Sequence, residues 1–324
     1  MRVVFVGNAR WSVPSLEALA GSRHEVSLVV TRAPRPGGRG NRPIPTPVAE
    51  AAVRLGLRVE EVETIKTGAG FDALAGARPE VMAVVAYGEI LPKGVLDVPD
   101  VAPVNVHFSL LPKLRGAAPV QRAILAGDVV TGVTTIRMDE GMDTGPILLQ
   151  AEERIGPEDD AGALGDRLAA LGGRLLVATL DGLGAGAIEE RAQDDAAATY
   201  APKLRPDDRL IDWSRPAQEI VRLVRAMAPE PGATTTFRGK GLKVLKATLK
   251  GAPRVPSGFR WRPGDVFFWD REVTVWTGDG RAVRLDEVQP EGRRRMTGAD
   301  FVRGYRPQQG ERLGDETGEA APRG

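Results

Sequence analysis

Arg2-Val3-Val4-Phe5-Val6-Gly7 stands almost at the start of the chain and decides its fold. A continuous apolar run of this kind is typical of a strand covered on both faces, as in a parallel sheet. Pro14–Ala20 predicts a helix, because proline is tolerated at a helix start. Val26–Thr31 then predicts a second strand and Val48–Leu55 a second helix. The alternation predicts an α/β fold with a Rossmann-like, doubly wound and mostly parallel sheet.

The functional site of such a sheet lies at the carboxyl ends of its strands. Gly7 ends the first strand, but no Gly-x-Gly-x-x-Gly pattern is present, so a nicotinamide cofactor is not expected. Two later apolar runs, Val81–Gly88 and Gly132–Met138, predict further strands. Polar residues that follow strands at this edge are therefore the first candidates for a site.

Asn105 and His107 are two residues apart in Val104–Pro112, which predicts a buried strand running into a loop. On a strand this spacing places both side chains on one face. Asp143 follows 36 residues after His107, within Met138–Gly145, whose glycines and acidic residues predict a tight loop. That loop is expected at the same edge as His107.

The three residue types suit acyl transfer. An amine that attacks a one-carbon acyl group forms a tetrahedral oxyanion and releases a proton, so the site needs hydrogen-bond donors and a proton acceptor. Asn105 and His107 can donate, and Asp143 can accept. The chain has only two histidines, and His24 is predicted to be structural at a turn before a strand. The local sequence leaves open the alternative that His107 is a core histidine at a strand end.

Four successive motifs stand out around these residues: Asn105–His107, Ser109–Pro112, Arg115–Pro119 and Asp139–Gly145. Through them the chain resembles enzymes that use 10-formyltetrahydrofolate, and among them the methionyl-tRNA formyltransferase family. Four further segments are similar: Pro14–Leu16, Pro36–Gly40, Ala86–Gly88 and Tyr200–Trp213. The chain departs from the family at Phe108, where many relatives carry glycine, and at Gly7–Trp11, where the family usually has Gly-Thr-Pro.

This resemblance implies transfer of the formyl group of 10-formyltetrahydrofolate to the α-amino group of methionyl-initiator tRNA, for translation initiation. The implied catalytic residues are Asn105, His107 and Asp143. The implied folate-binding residues are Tyr87, Gly88, Ser109, Leu110, Leu111 and Pro112. The implied tRNA-binding residues are Arg35, Arg39 and Arg42. The folate is a co-substrate, and no metal is expected.

Length and composition limit the class of protein. The chain of 324 residues is long enough for two domains, and its hydrophobic content of 42% is ordinary for a globular protein. We expect no membrane span, which needs roughly 20 apolar residues, and no signal sequence before the first strand. Cysteine is absent, so disulfides and Cys-ligated metals are excluded. These features favour a cytoplasmic protein without a structural metal.

Charge divides the chain into an acidic and a basic part. Residues 1–202 carry 20 Lys+Arg and 26 Asp+Glu, a net charge of −6, whereas residues 203–310 carry 22 and 13, a net charge of +9. A basic part suits a polyanionic substrate, although an ordinary solvated surface is the alternative. We predict a catalytic domain over 1–202, a tRNA-binding domain over 203–310 and a disordered tail over 311–324, with a linker at about 194–209.

The second domain is predicted to be an OB-like β-barrel. A long helix over Ala161–Leu180 closes the first domain, and another lies near Gln218–Met227. Five short β-rich runs then follow: Thr234–Phe237, Leu242–Leu249, Asp265–Trp269, Glu272–Thr277 and Ala282–Val288. Five strands at these intervals are typical of small barrels that bind nucleic acid.

A basic loop over Arg32–Pro47 separates the second strand from its helix. It is rich in proline and glycine, lacks acidic residues, and is predicted to have no regular structure. Arginines spaced three or four residues apart on such a loop can follow phosphates; random surface basicity is the alternative. The resemblance implies that this loop enters the acceptor arm of the tRNA, with Arg39 at the position of the family's arginine.

Two other functions remain open at this stage. A sugar-nucleotide N-formyltransferase would use the same chemistry, but the arginine-rich loop and basic barrel speak against it. A non-catalytic RNA-binding protein on a decayed fold would not need the intact Asn, His and Asp. We expect a monomer that binds charged initiator tRNA and folate, without a membrane.

Overall fold

The computed structural model describes residues 1–37, 42–251, 261–269, 272–308 and 310–315. The chain divides into two compact units. The first comprises Met1–Pro119, Val129–Ile155 and Leu164–Lys203, and the second comprises Val120–Asp128, Gly156–Ala163 and Leu204–Gly324. The sequence analysis divided the chain once, at residues 202 and 203, and did not foresee that two earlier segments belong to the second unit.

Arginine side chains explain how these segments join the second unit. Arg225 donates from Nε to the carbonyl oxygen of Asp159 at 2.6 Å and from Nη2 to that of Gly156 at 2.8 Å. The Nη2 atom of Arg122 donates to Asp208 Oδ2 at 2.9 Å. These contacts join residues 66 to 86 positions apart in sequence, which no local pattern indicates.

The first unit contains a seven-stranded sheet. The strands in this part of the chain are β1 (Arg2–Gly7), β2 (Glu25–Arg32), β3 (Arg35–Gly37), β4 (Arg42–Ile44), β5 (Val59–Val62), β6 (Val81–Val85), β7 (Ala102–His107), β8 (Val130–Arg137) and β9 (Ile147–Arg154). The sheet order is β5-β2-β1-β6-β7-β8-β9. The first five strands in this order are parallel to one another, and β8 and β9 are each antiparallel to the strand before them. The predicted doubly wound, mostly parallel sheet is confirmed.

Helices alternate with these strands. They are α1 (Val13–Ala20), α2 (Pro47–Arg54), α3 (Gly68–Gly76), α4 (Lys93–Leu96), α5 (Pro119–Ala126) and α6 (Ala161–Gly184). The side chain of Thr46 caps α2 by accepting from the backbone N–H of Ala49, and Pro47 occupies its first turn. Local sequence therefore sets where this helix begins.

β1 lies inside the sheet, and Val3 to Val6 are fully buried. Gly7 ends the strand where neighbouring backbone leaves no room for a side chain. A Cβ atom there would lie 2.9 Å from both Ser12 Cβ and the carbonyl oxygen of Val85. The hydroxyl of Ser12 donates to that same carbonyl at 2.6 Å. Gly7 therefore lets the chain turn tightly beside β6 at the edge that carries the site.

The arginine-rich segment contains a hairpin that the sequence analysis missed. β3 and β4 pair antiparallel, with Pro36 opposite Pro43. Proline is tolerated in edge strands, and both strands of a two-stranded ribbon are edges. Residues 38–41, and hence Arg39, lie outside the described residues, as does the side chain of Arg42.

The second unit contains an antiparallel sheet. Its strands are β10 (Ala233–Phe237), β11 (Lys240–Lys250), β12 (Val266–Trp269), β13 (Glu272–Trp276), β14 (Ala282–Pro290) and β15 (Met296–Thr297), and its further helices are α7 (Ala217–Met227) and α8 (Gly298–Tyr305). The order is β10-β11-β14-β13-β12, with β15 paired to β14. The predicted C-terminal β domain is confirmed. Among the described residues, no helix is long and apolar enough to cross a membrane.

The last described residues close this sheet into a barrel. Leu313 bridges Phe237 at the end of β10, and Arg312 bridges Asp265 just before β12. This segment thus joins the two outer strands. The prediction of a disordered tail is wrong for residues 311–315, because Leu313 is buried in the core of the barrel; the rest of that predicted tail lies outside the described residues.

Candidate active site

Asn105 and His107 lie on β7, which ends at the carboxyl edge of the parallel strands. Val104, which precedes Asn105, and Val106, which lies between Asn105 and His107, are both buried in apolar packing. Asn105 is partly exposed, whereas His107 is 6% exposed. The alternation expected of a strand therefore holds both polar side chains firmly and leaves the amide of Asn105 accessible.

Asp143 meets both of these residues. Its Oδ2 atom accepts a hydrogen bond from the backbone N–H of Gly116 at 2.8 Å and lies 3.5 Å from His107 Nδ1. Its Oδ1 atom accepts a long bond of 3.4 Å from Asn105 Nδ2. The backbone of Asp143 has a φ of 57°, a left-handed conformation that non-glycine residues rarely adopt. The structure thus brings the three predicted catalytic side chains together.

Both ring nitrogens of His107 face protein groups. Nε2 lies 2.9 Å from the carbonyl oxygen of Leu114. Because a carbonyl oxygen only accepts, Nε2 carries the hydrogen of this bond, and Nδ1 faces the Asp143 carboxylate. The imidazole of His107 is therefore oriented with Nδ1 toward the Asp143 carboxylate, 3.5 Å away.

A cavity of about 80 Å³ lies beside Asn105 and Asp143. Its other lining residues come from the turn after β6 and from the loop after β8: Glu89, Ile90, Leu91, Ile136, Met138, Asp139, Gly141 and Met142. The cavity therefore places apolar walls beside Asn105 and Asp143, two of the predicted catalytic residues.

The six predicted folate-binding residues flank this cavity in sequence but do not line it. Ser109 is fully buried, and its hydroxyl donates to the carbonyl of Lys113 at 2.6 Å. The N–H of Leu111 donates to Thr134 Oγ1 at 3.1 Å. Tyr87 is buried and its carbonyl accepts from Asn8 Nδ2 at 2.6 Å. These contacts, one from a side chain and two from the backbone, hold the loops in place. The folate contacts of the six residues remain predictions.

Burial raises the pKa of the Tyr87 phenol to about 12, with the Glu89 carboxylate adding to the effect. The unfolded value is near 10. Because the folded pKa is the higher one, the contribution of Tyr87 to stability is complete below about pH 10 and is lost as the pH rises through about 12. Ultraviolet titration of Tyr87→Phe should lack a tyrosinate step near pH 12 that the wild type shows; identical titrations would contradict this expectation.

The two departures from the resembling family pack against each other. Phe108 is buried, and its ring meets that of Trp11 edge to face, with centroids 6.3 Å apart. The indole N–H of Trp11 donates to Asp166 Oδ1 at 2.9 Å. Phe108 therefore contributes to the core. Its side chain, larger than the glycine that many relatives carry, packs against the indole of Trp11.

The predicted tRNA-binding arginines are placed only in part. Arg35 lies on β3 and is exposed. Arg32, at the base of the segment, pairs with the cavity residue Glu89 at 2.9 Å, so its charge is already neutralised. Lys66 lies 3.6 Å from the same carboxylate.

The sequence analysis missed the role of Gln193 and assigned none to Arg115. Nε2 of Gln193 donates to the carbonyl oxygens of Asp143 and Gly145 at 2.8 and 2.7 Å. Its Oε1 atom accepts from the Arg115 guanidinium at 2.9 and 3.1 Å. Arg115 stands inside one of the motifs quoted above, but Gln193 lies in a polar stretch that carries no signal of its own.

Comparison with known proteins shows the family to which the chain belongs. Residues 1–180 match the model of the formyl transferase family, and residues 203–306 match the model of the formyl transferase C-terminal domain. A fold neighbour, a sugar 3N-formyl transferase crystallised with dTDP and 5-N-formyl-THF, has a TM-score of 0.66 and 17% identity, covering 91% of this chain and 99% of its own. The fold neighbour agrees in fold, and the two family matches define a formyltransferase.

The chain belongs to the methionyl-tRNA formyltransferase family. The protein of that name from Solibacter usitatus is 45% identical over 315 residues, which are 97% of this chain and 99% of the relative. The protein of that name from Thermobifida fusca is 44% identical over 316 residues, 98% of this chain and 100% of the relative. The resemblance identified from the four motifs is confirmed.

Proposed function

We propose that Asn105, His107 and Asp143 carry out formyl transfer from 10-formyltetrahydrofolate to the α-amino group of methionine esterified to initiator tRNA. The convergence of these three side chains at one sheet edge carries the proposal. Membership of the family supports the reaction. The hydrogen-bond donors Asn105 and His107 beside the carboxylate of Asp143 support the roles of the three residues.

Asp143 is the proposed proton acceptor. The free amine attacks the formyl carbon, and the ammonium that forms loses a proton; the bond from the formyl carbon to the folate nitrogen then breaks as that nitrogen takes up a proton. Asp143 lines the cavity, and its side chain is 17% exposed, so it can reach this proton directly or through one water. His107 lies behind it and stabilises the carboxylate through Nδ1 when protonated.

Asn105 is the proposed donor to the formyl oxygen. Its bond to Asp143 is long, at 3.4 Å, so the amide can exchange this acceptor for an oxyanion. His107 would contribute if its Nε2–H exchanged Leu114 for the substrate. A single well-placed donor to an oxyanion contributes on the order of a hundred- to thousandfold in rate.

The arginine hairpin is the proposed grip on the acceptor end of the tRNA. A small sugar nucleotide needs no such basic ribbon, whereas an acceptor stem must be held and aimed. Arginine can bind phosphates and base edges with two parallel hydrogen bonds. Exposed Arg35 on β3 supports this role, and Arg39, between two glycines in the sequence, is the proposed residue that enters the stem end.

Arg39→Ala is expected to lower kcat/KM for charged initiator tRNA by at least about tenfold, roughly 1.4 kcal/mol, and to narrow the preference over elongator tRNA. Folate binding should be unchanged, because the cavity lies at the strand ends. The measurement compares kcat/KM for both tRNAs in wild type and variant, with Arg58→Ala, a surface arginine paired with Glu60, as the control. Equal values in wild type and Arg39→Ala would make the hairpin a bystander.

Formyl transfer to charged initiator tRNA, compared with charged elongator tRNA, tests the proposal as a whole. Rapid transfer to the initiator alone is expected. Transfer to a sugar nucleotide instead would support the rival chemistry, and no transfer with intact tRNA binding would support a decayed enzyme. A cytoplasmic monomer is part of the proposal, since aminoacyl-tRNA is a cytoplasmic substrate and one chain supplies all three catalytic groups.

A further inference from the structure

The structure assigns to Gln193 the role of a positioning residue for Asp143, acting together with the buried Arg115. The inference rests on the proposed role of Asp143 as proton acceptor. Gln193 touches the backbone of the catalytic loop rather than its carboxylate. Its effect on the reaction would therefore pass through Asp143.

The Asp143 loop needs support from outside itself. Asp143 has a φ of 57°, a left-handed conformation that persists in a non-glycine residue only where the surrounding structure fixes it. Gly145 is equally constrained, because a Cβ atom there would lie 1.9 Å from the carbonyl oxygen of Arg137. Gln193 satisfies the carbonyl oxygens of both residues with one amide nitrogen.

Gln193 is itself fixed by Arg115. The guanidinium donates from Nε and Nη2 to Gln193 Oε1, and Nη2 also donates to Asp195 Oδ1 at 2.7 Å. Arg115 is 2% exposed, and a buried cation is stable only where its hydrogen bonds are satisfied. The amide of Gln193 thus lies between a buried cation and the catalytic loop.

The same network fixes the other side of the carboxylate. Arg115 precedes Gly116, whose N–H donates to Asp143 Oδ2, and follows Leu114, whose carbonyl accepts from His107. The backbone N–H of Arg115 donates to the carbonyl oxygen of Thr199 at 2.8 Å. The carbonyl oxygen of Arg115 accepts from the N–H of Ala201 at 2.7 Å. The segment after Gln193 therefore braces the backbone of residues 114–116, which contacts both His107 and Asp143.

An amide is the chemistry that this place requires. The carbonyls of Asp143 and Gly145 need a donor, and Arg115 needs an acceptor; glutamine supplies both. Glutamate has the same shape and would bind Arg115 more strongly, but it would place an anionic oxygen against two carbonyl oxygens. Gln193→Glu therefore keeps the hydrogen bonds with Arg115 and removes those with the carbonyl oxygens of Asp143 and Gly145.

Gln193→Glu is expected to lower kcat by roughly ten- to a hundredfold, while KM for folate and for tRNA changes less than about threefold, since small misplacements of a catalytic group slow the chemical step. The control is Gln308→Glu, which makes the same change at an exposed glutamine that donates to the carbonyl of Arg306. Circular dichroism and thermal unfolding establish that both variants fold. If Gln193→Glu does not, Gln193→Met, which removes the contacts to Arg115 and to the loop together, tests whether kcat depends on residue 193 with KM unchanged.

A double-mutant cycle with Asp143→Ala tests the route of the effect. A positioning role predicts that Gln193→Glu costs little more once Asp143 is alanine. An equal cost in both backgrounds, or a loss confined to KM, would overturn the inference. Near-normal turnover of Asp143→Ala alone would instead refute the proposed function, so the two failures are distinguishable.

Discussion

Replacing Asp143 with alanine is expected to lower kcat for formyl transfer by roughly a hundredfold or more, while the protein stays folded. A hundredfold loss corresponds to about 2.7 kcal/mol of transition-state stabilisation. The carboxylate is the group at which the Asn105, His107 and Gly116 contacts meet, so its removal leaves the proton of the attacking amine without an acceptor. Asn105→Ala and His107→Ala are expected to cause losses of the same order.

Rapid-quench measurement of single-turnover formyl transfer, beside steady-state kcat and KM, checks this result. The matched control is Asp97→Ala, which removes an exposed carboxylate paired with Lys93 on the same unit and should leave kcat within twofold. A folded Asp143→Ala variant with near-normal turnover would refute the assignment of the site.

Binding of initiator tRNA is expected to weaken steeply with salt. If the second unit neutralises six phosphates, affinity should fall by about a thousandfold between 50 and 200 mM salt, because each neutralised phosphate releases counterions. Folate affinity should change far less. Salt-independent tRNA binding would contradict a phosphate-binding role for the basic residues 203–310.

Individual cations of the barrel sharpen this expectation. Arg293 and Arg294 are exposed, whereas the neighbouring Arg295 pairs with Glu287 at 2.7 Å. Arg293→Ala and Arg294→Ala should each reduce the slope of log affinity against log salt by roughly one if they contact phosphate. Arg303→Ala, which removes a cation paired with Asp300, should leave the slope unchanged. Equal slopes in all variants would place tRNA binding elsewhere.

Local sequence patterns predicted the elements whose formation depends on residues near one another in the chain. The apolar run of β1 and the proline at the start of α1 have one stable interpretation each, and both elements form. Asn105 and His107 are brought close by strand geometry alone, since their separation on β7 does not depend on any other element. Asp143 was predicted from its position after β8, and it lies 3.5 Å from His107.

Other features depend on partners far away in sequence. The β3–β4 hairpin was predicted as an irregular loop, because its prolines argue against strands until two edge strands pair. The segment 311–315 was predicted to be disordered because it is polar, yet the single buried Leu313 anchors it between two barrel strands. Gln193 shows no signal, because its importance lies in two carbonyl groups 48 and 50 residues away.

The sequence by itself therefore determined the doubly wound sheet, the pair Asn105 and His107 on one strand, and membership of the formyltransferases, since each follows from residues near one another in the chain. The tertiary structure alone decided how Asp143 is held, which groups line the cavity, and how the barrel closes. Backbone hydrogen bonds and buried charges must find their partners wherever the fold brings them. The hydrogen bonds that hold the Asp143 loop are consequently made between residues that no local pattern connects.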